Sequence, residues 1–413
     1  MEVDDYLGRS RLFRRLRSRP HGQLVERYAA RLVEEGHARH STWRCLNMIG
    51  GFLGWIASRR CALADLDEHV VERYLQHRAQ RQTIQRGDRP ALKRWLVMLR
   101  KEGAIAPAAP PSLTPHERIF NAFGEYLQTE RGLARRSIER HLPVIRRFLH
   151  EVCPAGEADL GKIGQKNVIR YIECHARDWS PSTGKVMCTS LRSFLRYLHY
   201  RGLNPRALAG CVPSIRCWKL ASLPTCLSAA QVQKVLDACE RTTAMGRRDY
   251  AILLLLAKLG LRADEVATLT LEDIDWRAGE LIVRGKGRQR ARTPLPADVG
   301  AAIVEYLRHG RPKSSCRRLF VRTLAPHVGF ARGSSITWIA KAALDRAGID
   351  GCTRPGAHIF RHSLATELLR SGATLSEIGQ LLRHASHDTT RIYAKVDIEA
   401  LRTLSLPWPG GAQ

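Results

Sequence analysis

The chain is short of acid. Against 67 Lys and Arg it sets 39 Asp and Glu, which leaves a formal charge of +28 and a pI near 10.4. A deficit of that size points to a polyanionic partner, nucleic acid before a membrane surface. Paired cysteines are missing too. The 11 cysteines are odd in number and include no Cys-x-x-Cys, which argues against a disulfide framework and a structural zinc site. Free thiols in a reducing compartment are the simpler reading. No long apolar run exists: Ile252 to Ala257 is far too short to cross a bilayer. The N-terminus, with Asp4, Asp5 and then arginines, has no apolar signal core. A soluble, cytoplasmic, nucleoid-associated protein without a membrane partner is expected. Clustered carboxylates that would hold a metal are lacking. Gly285-Lys286-Gly287 lacks the spacing of a nucleotide-binding Walker loop. No metal, ATP or other cofactor is expected.

What is present is enough apolar residue, 44% of 413, for two to three domains. Residues 1–21 form a basic segment with two readings: an arm that tracks phosphates, or an amphipathic helix with Leu12, Phe13 and Leu16 on one face. Residues 22–106 read as a helical bundle, from the apolar spacing of Leu46, Ile49, Phe52, Leu53 and Ile56 among others. A Pro-rich linker over 107–116 follows. A second bundle over 117–204 repeats the first. The stretch Gly36 to Leu53 aligns without a gap on Gly132 to Leu149, and half of the positions are identical. Further on, Leu92, Trp95, Leu96, Leu99 and Gly103 fall on Leu191, Phe194, Leu195, Leu198 and Gly202. The two segments are two copies of one unit.

Polar residues repeat as well: Arg39, Ser41 and Arg44 on Arg135, Ser137 and Arg140. This suggests phosphate contacts at a helix start. The plainer reading, that both serines cap their helices, is compatible with it. A second linker spans 205–227. A capping box, Ser228 to Gln231, opens a new domain over 228–402. In it Arg248 to Leu259 is a buried helix, and 280–296 is a hairpin whose second strand ends in Pro294 and Pro296 and so is an edge. Helices are expected at 297–308, 335–347, 358–371 and 375–383, and a tail without a stable helix at 403–413.

The chemistry-bearing residues sit in this last domain. His358 and Arg361 are three apart on one helix face, and Arg suits the gripping of phosphate oxygens. Downstream lie His384 and Tyr393. Far upstream, Arg262 opens a helix in Gly260-Leu-Arg-Ala-Asp-Glu265. Singly each has a bland reading: Tyr393 a half-buried aromatic, Arg262 a surface ion pair with Asp264 or Glu265, His384 a helix cap. Jointly they form a site.

In these spacings the segment 226–402 resembles the tyrosine recombinases, the phage integrase family, and 117–204 resembles that family's core-binding domain. The resemblance implies a mainly α fold with a small antiparallel β-sheet: tandem SAM-like bundles, then a mixed α/β catalytic domain. It implies that Tyr393 attacks a DNA phosphodiester to give a 3′-phosphotyrosine and a free 5′-hydroxyl. Arg262 and Arg361 would clamp the phosphate, His384 would add a hydrogen bond, and His358 would assist proton transfer from Tyr393. Lys286 would protonate the leaving oxygen, and Glu265 would buttress Arg262. Arg288 and Arg290, beside Lys286, are candidate DNA contacts. Where the family usually has Gly before the second imidazole, this chain has Arg383. His362 and His387 are read as structural or DNA-facing. The partners implied are double-stranded DNA and a homo- or hetero-tetramer on synapsed duplexes. The segment after Tyr393, about Asp397 to Leu404, would dock on a neighbouring protomer, with Trp408 as a candidate anchor. Site-specific recombination by a mobile-element integrase or transposase is the leading function. A type IB topoisomerase-like or telomere-resolving enzyme and a non-catalytic accessory subunit are the alternatives.

Overall fold

The computed structural model describes residues 11–108, 113–152, 160–177, 179–216, 225–285, 290–352, 355–384 and 386–395. Lys286 and Arg288, the segment after Lys395 and Trp408 lie outside the described residues. The chain divides into two compact units: residues 1–108 together with 222–413, and 109–221. It is mostly helical with one small sheet, as expected from the sequence.

In the first unit, the N-terminal segment is not a free arm over 11–17. It forms helix α1 (Arg11–Arg17), whose Phe13 and Leu16 are each 2% exposed in the core of the bundle. The apolar face outweighs the charge of the other face, because burying two such side chains stabilises by about 1.5–3 kcal/mol each. The bundle continues with α2 (Gly22–Glu34), α3 (Arg39–Ser58), α4 (Glu68–Ala79) and α5 (Asp88–Lys101). Trp95 fills its centre, edge-on to Tyr28, whose hydroxyl donates to the Ala91 carbonyl at 3.0 Å.

The second unit is built the same way: α6 (Pro115–Thr129), α7 (Arg135–Val152), α8 (Gln165–Ala176) and α9 (Pro181–Tyr200). Thr114 and Glu117 form a capping box with Pro115 at the first helical position. The aligned residues of the repeat do equivalent work. Leu92, Trp95, Leu96 and Leu99 on α5, and Leu191, Phe194, Leu195 and Leu198 on α9, are all buried in the two bundle cores. Gly103 and Gly202 end these helices at φ +71° and +69°, and Gly36 and Gly132 turn at +80° and +60°. All four occupy the left-handed region that glycine enters without a steric penalty. Ser41 and Ser137 do not cap helices: α3 and α7 begin at Arg39 and Arg135, so each serine is already inside the first turn. Both serines are exposed there, with Arg39, Arg44, Arg135 and Arg140.

The first bundle shares its unit with the C-terminal part of the chain. The backbone N–H of His327 donates to the Glu35 carbonyl at 3.0 Å. A Cβ on Gly36 would come within 2.0 Å of the His327 ring, so the turn between α2 and α3 seats directly against this loop.

The C-terminal part opens on the capping box of Ser228 and Gln231 at the start of α10 (Ala229–Asp237). Its centre is α11 (Ala244–Lys258), with Ile252 to Leu256 buried on every side. Then come α12 (Ala263–Thr268) and an antiparallel sheet of β1 (Ile274–Asp275), β2 (Glu280–Arg284) and β3 (Arg290–Pro294). The order is β1-β2-β3, with Leu281 opposite both Ile274 and Thr293, so β3 is the edge strand that its prolines require. Helices α13 (Ala297–His309), α14 (Gly333–Arg346), α15 (Ala357–Arg370), α16 (Leu375–Leu381) and α17 (His387–Thr390) complete it, with a 3-10 turn at Tyr393–Lys395. The last elements share a small core of Ala365, Ile378, Leu382 and Tyr393.

Candidate active site

Arg262 precedes α12 directly. The chain leaves the buried α11 through Gly260 at φ +56°, where a Cβ would press to 2.6 Å from the Leu382 side chain. Arg262 is the N-cap residue of α12, and Glu265 returns to it. The Glu265 carboxylate accepts from the Arg262 backbone N–H at 2.9 Å and from its guanidinium at 2.7 Å. Glu265 is 5% exposed, whereas the Arg262 side chain is 37% exposed. The pair is therefore a buried carboxylate aiming a cation outward. Asp264, next to it, accepts from the Gly333 N–H at 2.9 Å and ties α12 to the start of α14.

Arg361, on α15, is 4% exposed. Its guanidinium donates to the carbonyls of Gly260 and Leu382, which joins the α11–α12 corner to the end of α16. Burial pushes its pKa down to about 10, helped by the nearby charge of Arg262. It stays protonated at neutral pH, and two of its five donors are held by backbone.

His384 follows α16 through Arg383, which sits at φ +55°. The expected position of a family glycine is thus a left-handed one, filled here by arginine. The backbone N–H of His384 closes this turn on the Gly379 carbonyl at 2.9 Å. Arg383 donates to the Leu381 carbonyl at 2.9 Å and reaches Glu265 at 3.5 Å. His384 Nδ1 lies 2.7 Å from the Thr390 hydroxyl, and its ring is parallel to that of Tyr393, with centroids 6.4 Å apart. Burial, then Arg361 and Arg262, drive its pKa down to about 4, so the imidazole is neutral and keeps one N–H to donate.

Tyr393, at the start of the 3-10 turn, is 1% exposed. Burial raises its pKa, against the pull of Arg361 and Arg262. Its hydroxyl lies 3.1 Å from His362 Nδ1. The residue against the tyrosine hydroxyl is thus His362, which the sequence places among structural or DNA-facing residues. His358, the expected proton acceptor, is exposed one turn away, its ring centroid 6.5 Å from that of His362. Partial desolvation of its ring by neighbouring atoms, then Arg361 and Arg262, also lower its pKa. The signal that finds His362 is its i, i+4 spacing from His358 on a helix, which puts both on one face. Of the remaining expected residues, Arg290 is exposed at the start of β3.

Two family models match the chain: the phage integrase family over residues 225–399, and the phage integrase N-terminal SAM-like domain over 120–202. Among its relatives is the putative integrase/recombinase y4rA of Sinorhizobium fredii, 42% identical across 94% of both chains. The tyrosine recombinase XerD of Mycobacterium tuberculosis is 30% identical, covering 69% of this chain and 94% of XerD. The fold is that of the XerH site-specific recombinase bound to its difH substrate, at 18% identity and TM-score 0.52 over 82% of this chain and 95% of that one. A lambda integrase tetramer bound to a Holliday junction gives TM-score 0.52 at 16% identity, over 76% of this chain and 88% of that one. The relatives of high identity and coverage agree with both family models, and the chain belongs to the phage integrase family, the tyrosine recombinases.

Proposed function

We propose that the chain is a mobile-element integrase or transposase in which Tyr393 is the nucleophile. The observation that carries this is convergence. Arg262 and Arg361, from separate segments, both act on the charge of the one tyrosine hydroxyl, the His384 ring lies parallel to the Tyr393 ring, and His362 meets the hydroxyl. Tyr393 attacks a DNA phosphodiester: the Oη–P bond forms, the bond to the 5′-oxygen breaks, and the strand is left as a 3′-phosphotyrosine. Arg262, held by Glu265, and the donors of Arg361 not bound to backbone stabilise the charge that grows on the phosphate oxygens. Neutral His384 adds a donor. His358, exposed on α15, is the proton acceptor proposed for the attacking hydroxyl, and Lys286 the proton donor to the leaving oxygen. The covalent link conserves the broken bond, so rejoining needs no nucleotide cofactor.

Tyr393 is buried here, so attack requires the turn at Tyr393–Lys395 to move. His362 holds the hydroxyl in this stored arrangement. The excess of +28 supports a double-stranded DNA substrate. The assemblies named for XerH and lambda integrase, on a DNA site and as a tetramer on a Holliday junction, support action on synapsed duplexes. The exposed first turns of α3 and α7 are the proposed phosphate contacts. A nicked suicide duplex from the chain's own flanking DNA tests the reading. The wild type should form a covalent adduct and Tyr393→Phe none. An adduct that survives Tyr393→Phe removes the nucleophile assignment, and no adduct with either removes the enzyme reading for that DNA.

A further inference from the structure

The first bundle carries a cavity that strand cleavage does not use. It lies between α3 and α4 and has a volume of about 410 Å³, within the range of about 300–1,000 Å³ usual for small-molecule sites. Its lining includes Trp55, Arg59, Tyr74, His77, Arg78 and Arg81, and no acidic side chain. Trp55 is 9% exposed, and its indole N–H is buried with no hydrogen-bond partner among the described residues. The Nε–H of Arg78 is buried in the same way, with the Asp88 carboxylate 3.9 Å off. A buried donor left unbonded is costly; Asp88 and the Tyr74 hydroxyl already engage the Arg78 guanidinium, so it is the Trp55 N–H that calls for an acceptor. An oxyanion meets that demand better than any neutral group, since Arg59 and Arg81 add exposed positive charge at the rim.

The wall is also aromatic. Trp55 packs against Tyr74 and His77 with ring centroids 5.6 Å and 6.0 Å away. The Arg59 guanidinium lies 4.9 Å from the Trp55 ring centroid. A Cβ on Gly51 would fall 2.7 Å from the Tyr74 hydroxyl oxygen, so the bare backbone there leaves that hydroxyl room at the cavity edge. Arginines around an aromatic wall are the combination that holds a phosphate and a base together.

We propose that this cavity binds a nucleotide unit, with its phosphate on Arg59, Arg78, Arg81 and the Trp55 N–H, and its base along the Trp55, Tyr74 and His77 wall. The unit is a free mononucleotide or one nucleotide of a DNA strand; the second source rests on the DNA-acting function proposed above.

The test uses the full chain labelled with 15N-tryptophan. The Trp55 indole signal, assigned through Trp55→Phe, is followed on addition of inorganic phosphate, deoxyadenosine monophosphate and a short single-stranded oligonucleotide. The mononucleotide should shift this signal at lower concentration than phosphate does. The exposed double variant Arg59→Ala/Arg81→Ala should weaken that response by about tenfold or more, each charged hydrogen bond being worth ~1.5–3 kcal/mol, while the other indole signals stay in place as evidence of an intact fold. A response to the oligonucleotide without one to the mononucleotide assigns the source to a DNA strand. An equal response to phosphate and mononucleotide overturns the base contact, and a Trp55 signal unmoved by all three probes overturns the site. The Tyr393 adduct assay reads the recombinase function separately, so an adduct alongside a silent Trp55 signal sinks only this pocket.

Discussion

Arg383 occupies a backbone position that most side chains avoid. Its φ of +55° carries a cost of about 1–2 kcal/mol for a residue with a Cβ, and its Nε–H is buried without a partner among the described residues. Against this stand a hydrogen bond to the Leu381 carbonyl at 2.9 Å, two residues away, and a contact at 3.5 Å with Glu265, a carboxylate that Arg262 already engages. Arg383→Gly is therefore expected to raise stability by about 0.5–1 kcal/mol in urea unfolding. A decrease instead would show that the guanidinium's hold on the Leu381 carbonyl and Glu265 outweighs the strain. At His384 the pKa of about 4 lies below the unfolded value of about 6.5. Between these values the unfolded chain binds more protons, so stability falls as pH drops through that window and is indifferent to this group above it. The drop should be on the order of 2 kcal/mol after solvent screening. Unfolding curves at pH 7 and pH 5 measure it, and His384→Asn should flatten the difference.

Among the elements, the two bundles offer a built-in control. Gly36 and Gly132 hold the same place in the repeat and both have positive φ. A Cβ on Gly132 meets nothing within 4 Å, whereas one on Gly36 meets the His327 ring. Gly132→Ala should thus cost only the backbone strain, about 1 kcal/mol. Gly36→Ala should cost that plus the displacement of His327, and His327→Ala should recover the excess. A double-mutant cycle on unfolding free energy reads the coupling. Equal costs at the two glycines would mean that the α2–α3 turn is not held against the His327 loop in solution.

For the whole molecule, the first bundle lies outside both matched family segments, yet it has its own core and shares a compact unit with the C-terminal part. Its repeat of the second bundle predicts that it also meets DNA. In that case Arg39→Ala/Arg44→Ala and Arg135→Ala/Arg140→Ala should each lower the salt slope of duplex binding, by about one for every phosphate that the variant no longer neutralises. Fluorescence anisotropy across a salt series checks this. A slope changed only by the second pair would assign the first bundle to protein contacts.

Much of this was legible in the chain itself. Helical spacing, the repeat and the left-handed glycines are local patterns, and local patterns decide which elements form and which residues share a face. The charge excess and the residue types of the site named the chemistry for the same reason: an arginine suits a phosphate wherever the chain puts it. Spacing does not report contacts between distant elements. That His362 rather than His358 meets the Tyr393 hydroxyl depends on how α15 packs against a turn some 30 residues on. That α1 buries Phe13 and Leu16 instead of extending as an arm, and that the α2–α3 turn seats on the His327 loop, depend on surfaces completed only by tertiary packing. The burial of Tyr393 belongs there too, because no single segment can bury a side chain that several others must cover.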